Sequence, residues 1–98
     1  MAIWVRKTHN EKTENYVNLI ENDCILTAQF EALEEWLKRV DGKLDQKAKW
    51  LADLGFAPRR NALGGGPVIS LDLMQLCIKN NLEIFISEYP DSTKENMQ

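Results

Sequence analysis

The most regular hydrophobic pattern in the chain is a set of apolar residues spaced four and three positions apart across residues 26–44. Its members are Leu26, Phe30, Leu33, Leu37, Val40 and Leu44. Side chains at this spacing share one face of an α-helix. The sequence therefore predicts a helix over residues 27–41, with Thr27 as its N-cap and Gly42 just beyond its end.

The same apolar phase continues through residues 44–54 and stops at Gly55, which predicts a second helix over that segment. Because the two segments keep one phase, a single kinked helix is an alternative to two separate helices. A two-stranded coiled coil is a further alternative, but its repeat spans few uninterrupted heptads.

The N-terminal part of the chain predicts a β-hairpin. Residues 2–7 are rich in β-branched and aromatic types and predict a strand with Ile3 and Val5 on one face. The polar residues 8–15 predict a loop, and the Tyr-Val pair within 15–21 favours a second strand that pairs with the first. A short helix over that last segment is the alternative.

The last third of the chain predicts a strand, a helix and a strand in succession. A short strand is expected over residues 67–70, and Ser70 is placed to cap the helix that follows it. The apolar face of that helix consists of Leu73, Leu76 and Cys77. Residues 82–87, LEIFIS, alternate clearly and predict the closing strand, which ends at Tyr89-Pro90.

Strands before and after the helices indicate an α+β fold. We expect one small sheet, formed by the N-terminal strand or hairpin and the C-terminal strand–helix–strand, covered on one face by the helix pair and the last helix. With 98 residues in all, the chain is predicted to form a single domain over 1–90. Residues 91–98 form a polar tail that is expected to fray.

The charge balance bears on the choice of partner. Twelve basic and fifteen acidic residues give a net charge of -3, which argues against a nucleic-acid partner. The charge is uneven, because residues 38–60 are rich in Lys and Arg whereas 72–95 are acidic. Such segments are typically the solvated sides of helices. Alternatively, the acidic region with Glu83 and Glu88 meets a basic partner.

The chain shows neither a secretory signal nor an apolar run that spans a membrane, so we expect a cytoplasmic protein without a membrane partner. In that compartment Cys24 and Cys77 are expected to stay reduced, and their apolar neighbours favour buried thiols. The alternative, a metal or redox pair, lacks CxxC spacing and flanking His ligands.

The sequence carries no phosphate-binding loop and no GxGxxG fingerprint, and its single histidine, His9, lies in a polar stretch. We therefore expect no catalytic residues, no cofactor, no metal and no enzyme activity. One feature favours anion binding: Arg59 and Arg60 precede the glycines Gly64, Gly65 and Gly66, and such a loop can present N–H groups and guanidinium forks to an anion. A mobile loop tip with two exposed arginines is the alternative.

Three tryptophans are many for so short a chain. Trp36 and Trp50 lie beside the apolar stripe and not in its centre. They are expected either to pack at the edge of the core or to contact a partner.

The segments FEALEEWLKRVDGKLDQKAKWLADLGF and GGGPVISLDLMQLCIKNNLEIFISEYP, within residues 26–90, resemble an uncharacterised bacterial domain family. Its members lie near polymorphic-toxin loci and include candidate immunity proteins. The resemblance rests on a helical stretch ending in Leu54-Gly55, a glycine loop, a leucine-rich helix and a strand ending in Tyr89-Pro90. It implies a toxin as partner and no catalytic residues.

Three functions follow as hypotheses. The first is a protein-binding module, an immunity-type inhibitor that occludes a toxin or enzyme. The second is a small anion- or ligand-binding domain, and the third is an oligomeric accessory protein, such as a homodimer paired through the helix stripe. The candidate partner-binding residues are Arg59, Arg60, Gly64, Gly65, Gly66, Trp36, Trp50, Glu83 and Glu88.

Overall fold

A four-stranded mixed sheet and two helices make up the fold of residues 3–19, 25–57 and 61–89, the part of the chain that the computed structural model describes. In chain order the elements are β1 (Trp4–His9), β2 (Lys12–Asn18), α1 (Leu26–Val40), β3 (Lys49–Phe56), α2 (Leu71–Lys79) and β4 (Leu82–Glu88). The strands lie in the order β2-β1-β3-β4, and this architecture confirms the predicted α+β fold.

Strand direction explains where the helices lie. The pairs β1–β2 and β1–β3 are antiparallel, whereas β3 and β4 are parallel. Parallel neighbours need a crossover connection, and α2 lies in it. Both helices pack on the same face of the sheet around one core. That core includes Val5, Leu33, Leu37, Trp50, Ala52, Leu54, Leu73 and Leu82.

The predicted N-terminal hairpin is confirmed, but its turn is much tighter than the predicted loop. His9 pairs with Lys12, so only Asn10 and Glu11 connect the strands. Their φ angles of 53° and 65° are those of a type I′ turn, whose twist matches a hairpin. The expectation of a loop over 8–15 was therefore wrong, because β-pairing extends to both sides of the turn.

A β-bulge in this hairpin brings an aromatic side chain to the helix side of the sheet. Val5 pairs with Val17 and Arg6 with Asn15, so Tyr16 is the extra residue. The ring of Tyr16 meets the Trp50 ring edge-on, with a centroid distance of 4.8 Å and an interplanar angle of 87°. It thereby covers the end of the core next to β2.

The predicted helix over 44–54 was wrong, because most of this segment is the central strand β3. Trp50, Ala52 and Leu54 are buried at a period of two, which is the period of a strand. Their neighbours on β1 and β4 supply backbone hydrogen bonds on both sides, and this tertiary pairing overrides the local helical phase. The kinked helix and the coiled coil are excluded for the same reason.

Helix α1 confirms the strongest prediction, with bounds shifted by one residue. Thr27 is not its N-cap, because Ile25 occupies that position and no side-chain hydrogen bond caps the helix. Gly42 follows the end as predicted, with a φ of 80° that suits glycine. Because 44–54 contains no helix, the pair of helices on the sheet is α1 and α2.

Helix α2 and strand β4 are also confirmed, whereas the short strand expected over 67–70 is absent. Ser70 caps α2 by accepting a hydrogen bond from the Leu73 N–H at 3.0 Å. Val68 is 88% exposed and pairs with none of the described strands, since β3 supplies the strand that precedes the crossover. The expected fraying of 91–98 lies outside the described residues.

Polar contacts at two places, which we call the helix clasp, join α1 to α2. At one end the Ser70 hydroxyl donates to Glu34 Oε1 at 2.5 Å, and Lys38 pairs with the same carboxylate at 3.1 Å. At the other end Lys79 pairs with Asp41 at 2.9 Å. The hydrogen bond from Ser70 lowers the pKa of Glu34 below its ordinary value, and Lys38 adds to this effect. The pKa of Asp41 is lowered by Lys79 and Asn80.

The hairpin turn generates a stability prediction. Glu11 holds a left-handed conformation that costs a residue with a Cβ roughly 1–2 kcal/mol. We expect Glu11→Gly to raise the free energy of unfolding by about 0.5–1 kcal/mol, because Asn-Gly suits a type I′ turn. Urea unfolding followed by circular dichroism measures the change. Lys12→Gly, one residue later but inside β2, is the matched control and should destabilise the protein.

The helix clasp generates a pH prediction. Folding lowers the pKa of Glu34 below its ordinary value of 4.5. The ionised carboxylate therefore contributes its full stabilisation at pH values above 4.5, and this stabilisation is lost as the pH falls through the pKa of the folded state. We expect Glu34→Gln to lower the free energy of unfolding by about 1 kcal/mol at pH 7 and to flatten its decline in acid. Urea unfolding between pH 7 and 3 tests this. If Glu31→Gln, at an exposed position of the same helix, changed the pH profile equally, the clasp would not be the cause.

Candidate functional site

The sheet has a second face on which, within the described ranges, no helix packs. Side chains alternate along a strand, so the residues between the buried positions of β1, β3 and β4 point to this side. We call it the open face. Its main members are Trp4, Arg6, Leu51, Asp53, Gly55, Glu83, Phe85 and Ser87.

A hydrogen-bonded carboxylate lies at the centre of the open face. Arg6 Nη1 donates to Asp53 Oδ2 at 2.8 Å, and the Ser87 hydroxyl donates to Oδ1 at 2.8 Å. The Asp53 side chain is 13% exposed, so both of its oxygens are held in place with little access to water. These bonds tie β1, β3 and β4 together across the sheet. Asp53 therefore acts as a structural centre of the open face.

Aromatic side chains surround this polar centre. In the sheet register Asp53 lies between Trp4 on β1 and Phe85 on β4. Trp4 is partly buried, whereas Phe85 is 52% exposed. Asp53 thus has an aromatic neighbour on each side in this row, on β1 and on β4.

Tyr89 extends the aromatic surface beyond the end of β4. Its N–H donates to the Phe56 carbonyl at 2.9 Å, which holds the residue beside β3. Its ring then lies over Gly55, where an added Cβ would come within 2.5 Å of Tyr89 Cε2. Only glycine at this position leaves the space for the ring, and Tyr89 as a whole residue remains 43% exposed.

The two tryptophans proposed as partner contacts are core residues. Trp36 is 7% exposed and Trp50 is 2% exposed. The indole N–H of Trp50 is also satisfied inside the protein, since it donates to the Asp45 carbonyl at 3.0 Å. The structure thus supports the core interpretation of these residues, and their rings present no surface that a partner can cover.

Glu83 and Glu88 are both exposed, but the structure does not bring them together. They lie on one strand at positions of opposite parity, so they point to opposite faces of the sheet. Glu83 lies on the open face beside Leu51, its register partner on β3. Glu88 points to the side where the helices pack.

The glycine loop borders a cleft of about 540 Å³ next to the start of α1. Gly64, Gly65 and Gly66 have φ angles of 126°, 85° and 130°, which glycine adopts readily. Among the described residues, the walls of this cleft hold no charged side chain. Arg59 and Arg60 lie outside the described residues, so the anion-binding hypothesis stays a prediction.

The remaining reactive side chains do not form a cluster. His9 is exposed next to the hairpin turn, and Cys77 is buried against the core. Burial raises the pKa of the Cys77 thiol to about 11, so the thiolate is scarce at neutral pH. Cys24 lies outside the described residues. In the described part of the chain, no group of three His, Cys, Asp or Glu residues is arranged to hold a metal ion.

None of the described helices is long and apolar enough to cross a membrane. Comparison of the chain with protein-family models, curated proteins and solved structures finds no match. The class of this protein is thus defined by its architecture: an α+β domain with two helices on one face of a four-stranded mixed sheet and an aromatic opposite face.

Burial predicts the reactivity of Cys77. In a Cys24→Ser variant, which leaves Cys77 as the only thiol, we expect the folded protein to react with Ellman's reagent at pH 8 about a hundredfold more slowly than the unfolded protein. The absorbance of the released thiolate measures both rates. Rapid reaction of the folded variant would show that Cys77 is accessible.

Proposed function

We propose that this domain is a protein-binding module of the immunity type, which inhibits a partner toxin in the bacterial cytoplasm by covering part of its surface. The observation that carries the binding role is the aromatic open face. A sheet face turned to water normally carries polar residues. Here it carries Trp4, Leu51 and Phe85, with the ring of Tyr89 beside them.

The composition of the open face fits a binding surface. Aromatic residues are enriched at the centres of protein interfaces because they bury much area and lose little conformational entropy. The Arg6–Asp53 pair is already formed in the free protein at 2.8 Å. The binding surface is therefore preorganised, which lowers the entropy lost on association.

The charge of the domain favours a basic partner. Glu83 is an exposed carboxylate on the open face, and the whole chain carries a net charge of -3. Opposite charge on the partner accelerates encounter and fixes the orientation of docking. A nuclease or another cationic toxin has this chemistry.

The inhibitory role rests on two further supports. In the pattern of leucines and glycines, residues 26–90 are similar to a family that includes candidate immunity proteins. In addition, the central carboxylate, Asp53, is held by Arg6 and Ser87, which makes the middle of the open face rigid. Occlusion of a toxin needs only a complementary surface.

The test places a photo-crosslinking amino acid at Leu51, in the middle of the open face, and identifies the protein captured in cells of the native host. We expect Glu83→Lys to reduce the adduct at least tenfold, since Glu83 lies next to Leu51. Glu88→Lys is the matched control, because it makes the same charge change on the same strand but on the other face. Equal loss with both variants would contradict the role of the open face.

The immunity role is tested with the captured protein itself. Its production alone should arrest bacterial growth, and co-production of the wild-type chain should restore growth whereas the Glu83→Lys variant should not. A captured protein that leaves growth unaffected would overturn the inhibitory role even if binding at the open face is confirmed.

A further inference from the structure

The two outer strands of the sheet differ in how their edges are protected. β2 is mostly polar, includes Lys12 and contains the bulge, three features that discourage pairing with another chain. β4 has seven residues, LEIFISE, with an apolar centre and no Pro or Lys. Among the described residues, no strand pairs with the side of β4 that faces away from β3, because β4 is last in the strand order. Within the described ranges, β4 is thus an unprotected edge.

Helix α2 presents apolar side chains on the same side of the molecule. Leu71, Met74 and Ile78 are spaced three and four residues apart and are 74%, 42% and 81% exposed. The polar side of α2 faces α1, since Gln75 and Lys79 line a cleft that they share with residues of α1. The apolar stripe therefore points away from α1 and past the edge strand. Such a stripe on a surface helix normally covers a core.

We propose that a second copy of this chain occupies this side of the molecule, which we call the β4 edge, and that the two copies form a symmetric dimer. The β4 strands pair antiparallel, so two four-stranded sheets become one sheet of eight strands. The α2 stripes meet above that junction. This proposal is independent of the binding role of the open face.

The sequence of β4 is complementary to itself in this arrangement. A two-fold axis perpendicular to the sheet pairs residues of equal parity, and full overlap of the seven residues puts Phe85 on the axis, opposite its own copy. Ile84 then faces Ile86 of the second copy, and Glu83 faces Ser87. Apolar residues meet at the centre, and no two carboxylates lie opposite each other.

The layer dimensions permit the helices to meet at the same place. Four strands about 4.8 Å apart span about 19 Å, and two helices 8–10 Å apart span roughly as much. The helix layer is therefore about as wide as the sheet. When two copies pair at the β4 edge, the two sheets and the two helix layers meet at the same boundary. Ile86, which is 43% exposed on the helix side of β4, is covered when Met74 and Ile78 of the two copies come together.

The size of the β4 edge suits a weak, reversible association better than a permanent one. Seven strand residues extend about 23 Å, and the sheet with its helix layer is about 20 Å deep. The surface covered is on the order of 500 Å² per copy, below the ~800 Å² per partner of a standard interface. We therefore expect a reversible dimer that dissociates at micromolar concentration.

Sedimentation of the full chain from low micromolar to near millimolar concentration tests the proposal. The mass should rise from one chain to two. Phe85→Glu and Phe85→Lys should each weaken association at least tenfold, because each puts two like charges on the axis. An equimolar mixture of the two variants should associate again as a heterodimer, because Glu of one variant then lies opposite Lys of the other. This rescue requires that residue 85 of one copy faces residue 85 of the second copy.

Thr13→Glu is the matched control, because it adds one negative charge to the exposed edge strand at the other end of the sheet. It should leave the mass unchanged, and circular dichroism checks that every variant is folded. Should a Phe85 variant fail to fold, Ile78→Lys at the exposed stripe replaces it and should weaken the dimer similarly. A single-chain mass for the wild type at every concentration, no rescue in the mixture, or loss of the dimer with Thr13→Glu would each overturn the proposal.

Discussion

The pairing of β3 with neighbours on both sides is the constraint on which the rest of the structure depends. This strand is antiparallel to β1 and parallel to β4, so the chain must cross over the sheet between β3 and β4, and α2 lies in that crossover. Its alternate side chains serve two surfaces: Ala52 and Leu54 belong to the core, and Asp53 bonds Arg6 and Ser87 on the open face. A helix over the same residues would separate the N-terminal hairpin from β4.

That constraint also explains what the sequence could and could not predict. The stripe of α1 and the Ser70 cap of α2 are local signals, and both predictions were confirmed. In 44–54, Leu44, Ala48 and Leu51 fit a helix, whereas Trp50, Ala52 and Leu54 fit a strand equally well. The choice is made by β1 and β4, which lie more than 25 residues away on each side and leave no local trace. The hairpin turn was missed for a different reason, because Asn10-Glu11 lacks the glycine that marks a type I′ turn.

The candidate site was predicted less well than the fold, because residue type alone does not show which face of the sheet is covered. Trp36 and Trp50 have the residue type of interface anchors, yet both are buried. Trp4 and Phe85 were the better indicators of the open face. Each is an aromatic residue that alternates with the buried residues of its strand and therefore points to the opposite side of the sheet. An aromatic side chain at the polar phase of a strand indicates either a second packed layer or a binding surface. Among the described residues, α1 and α2 both pack on the other face, and no sequence signal near Trp4 or Phe85 shows this.

β4 links the two proposed interactions, because one strand offers three different surfaces. Its even-numbered residues face the helix layer, its odd-numbered residues belong to the open face, and its backbone forms the unprotected edge. Pairing at the edge would join two open faces into one surface with Phe85 of each copy at its centre. A partner that spans this junction would contact two copies at once and gain affinity without any new type of contact. The modest size of each surface alone is therefore compatible with tight inhibition, provided that the dimer and the partner assemble together.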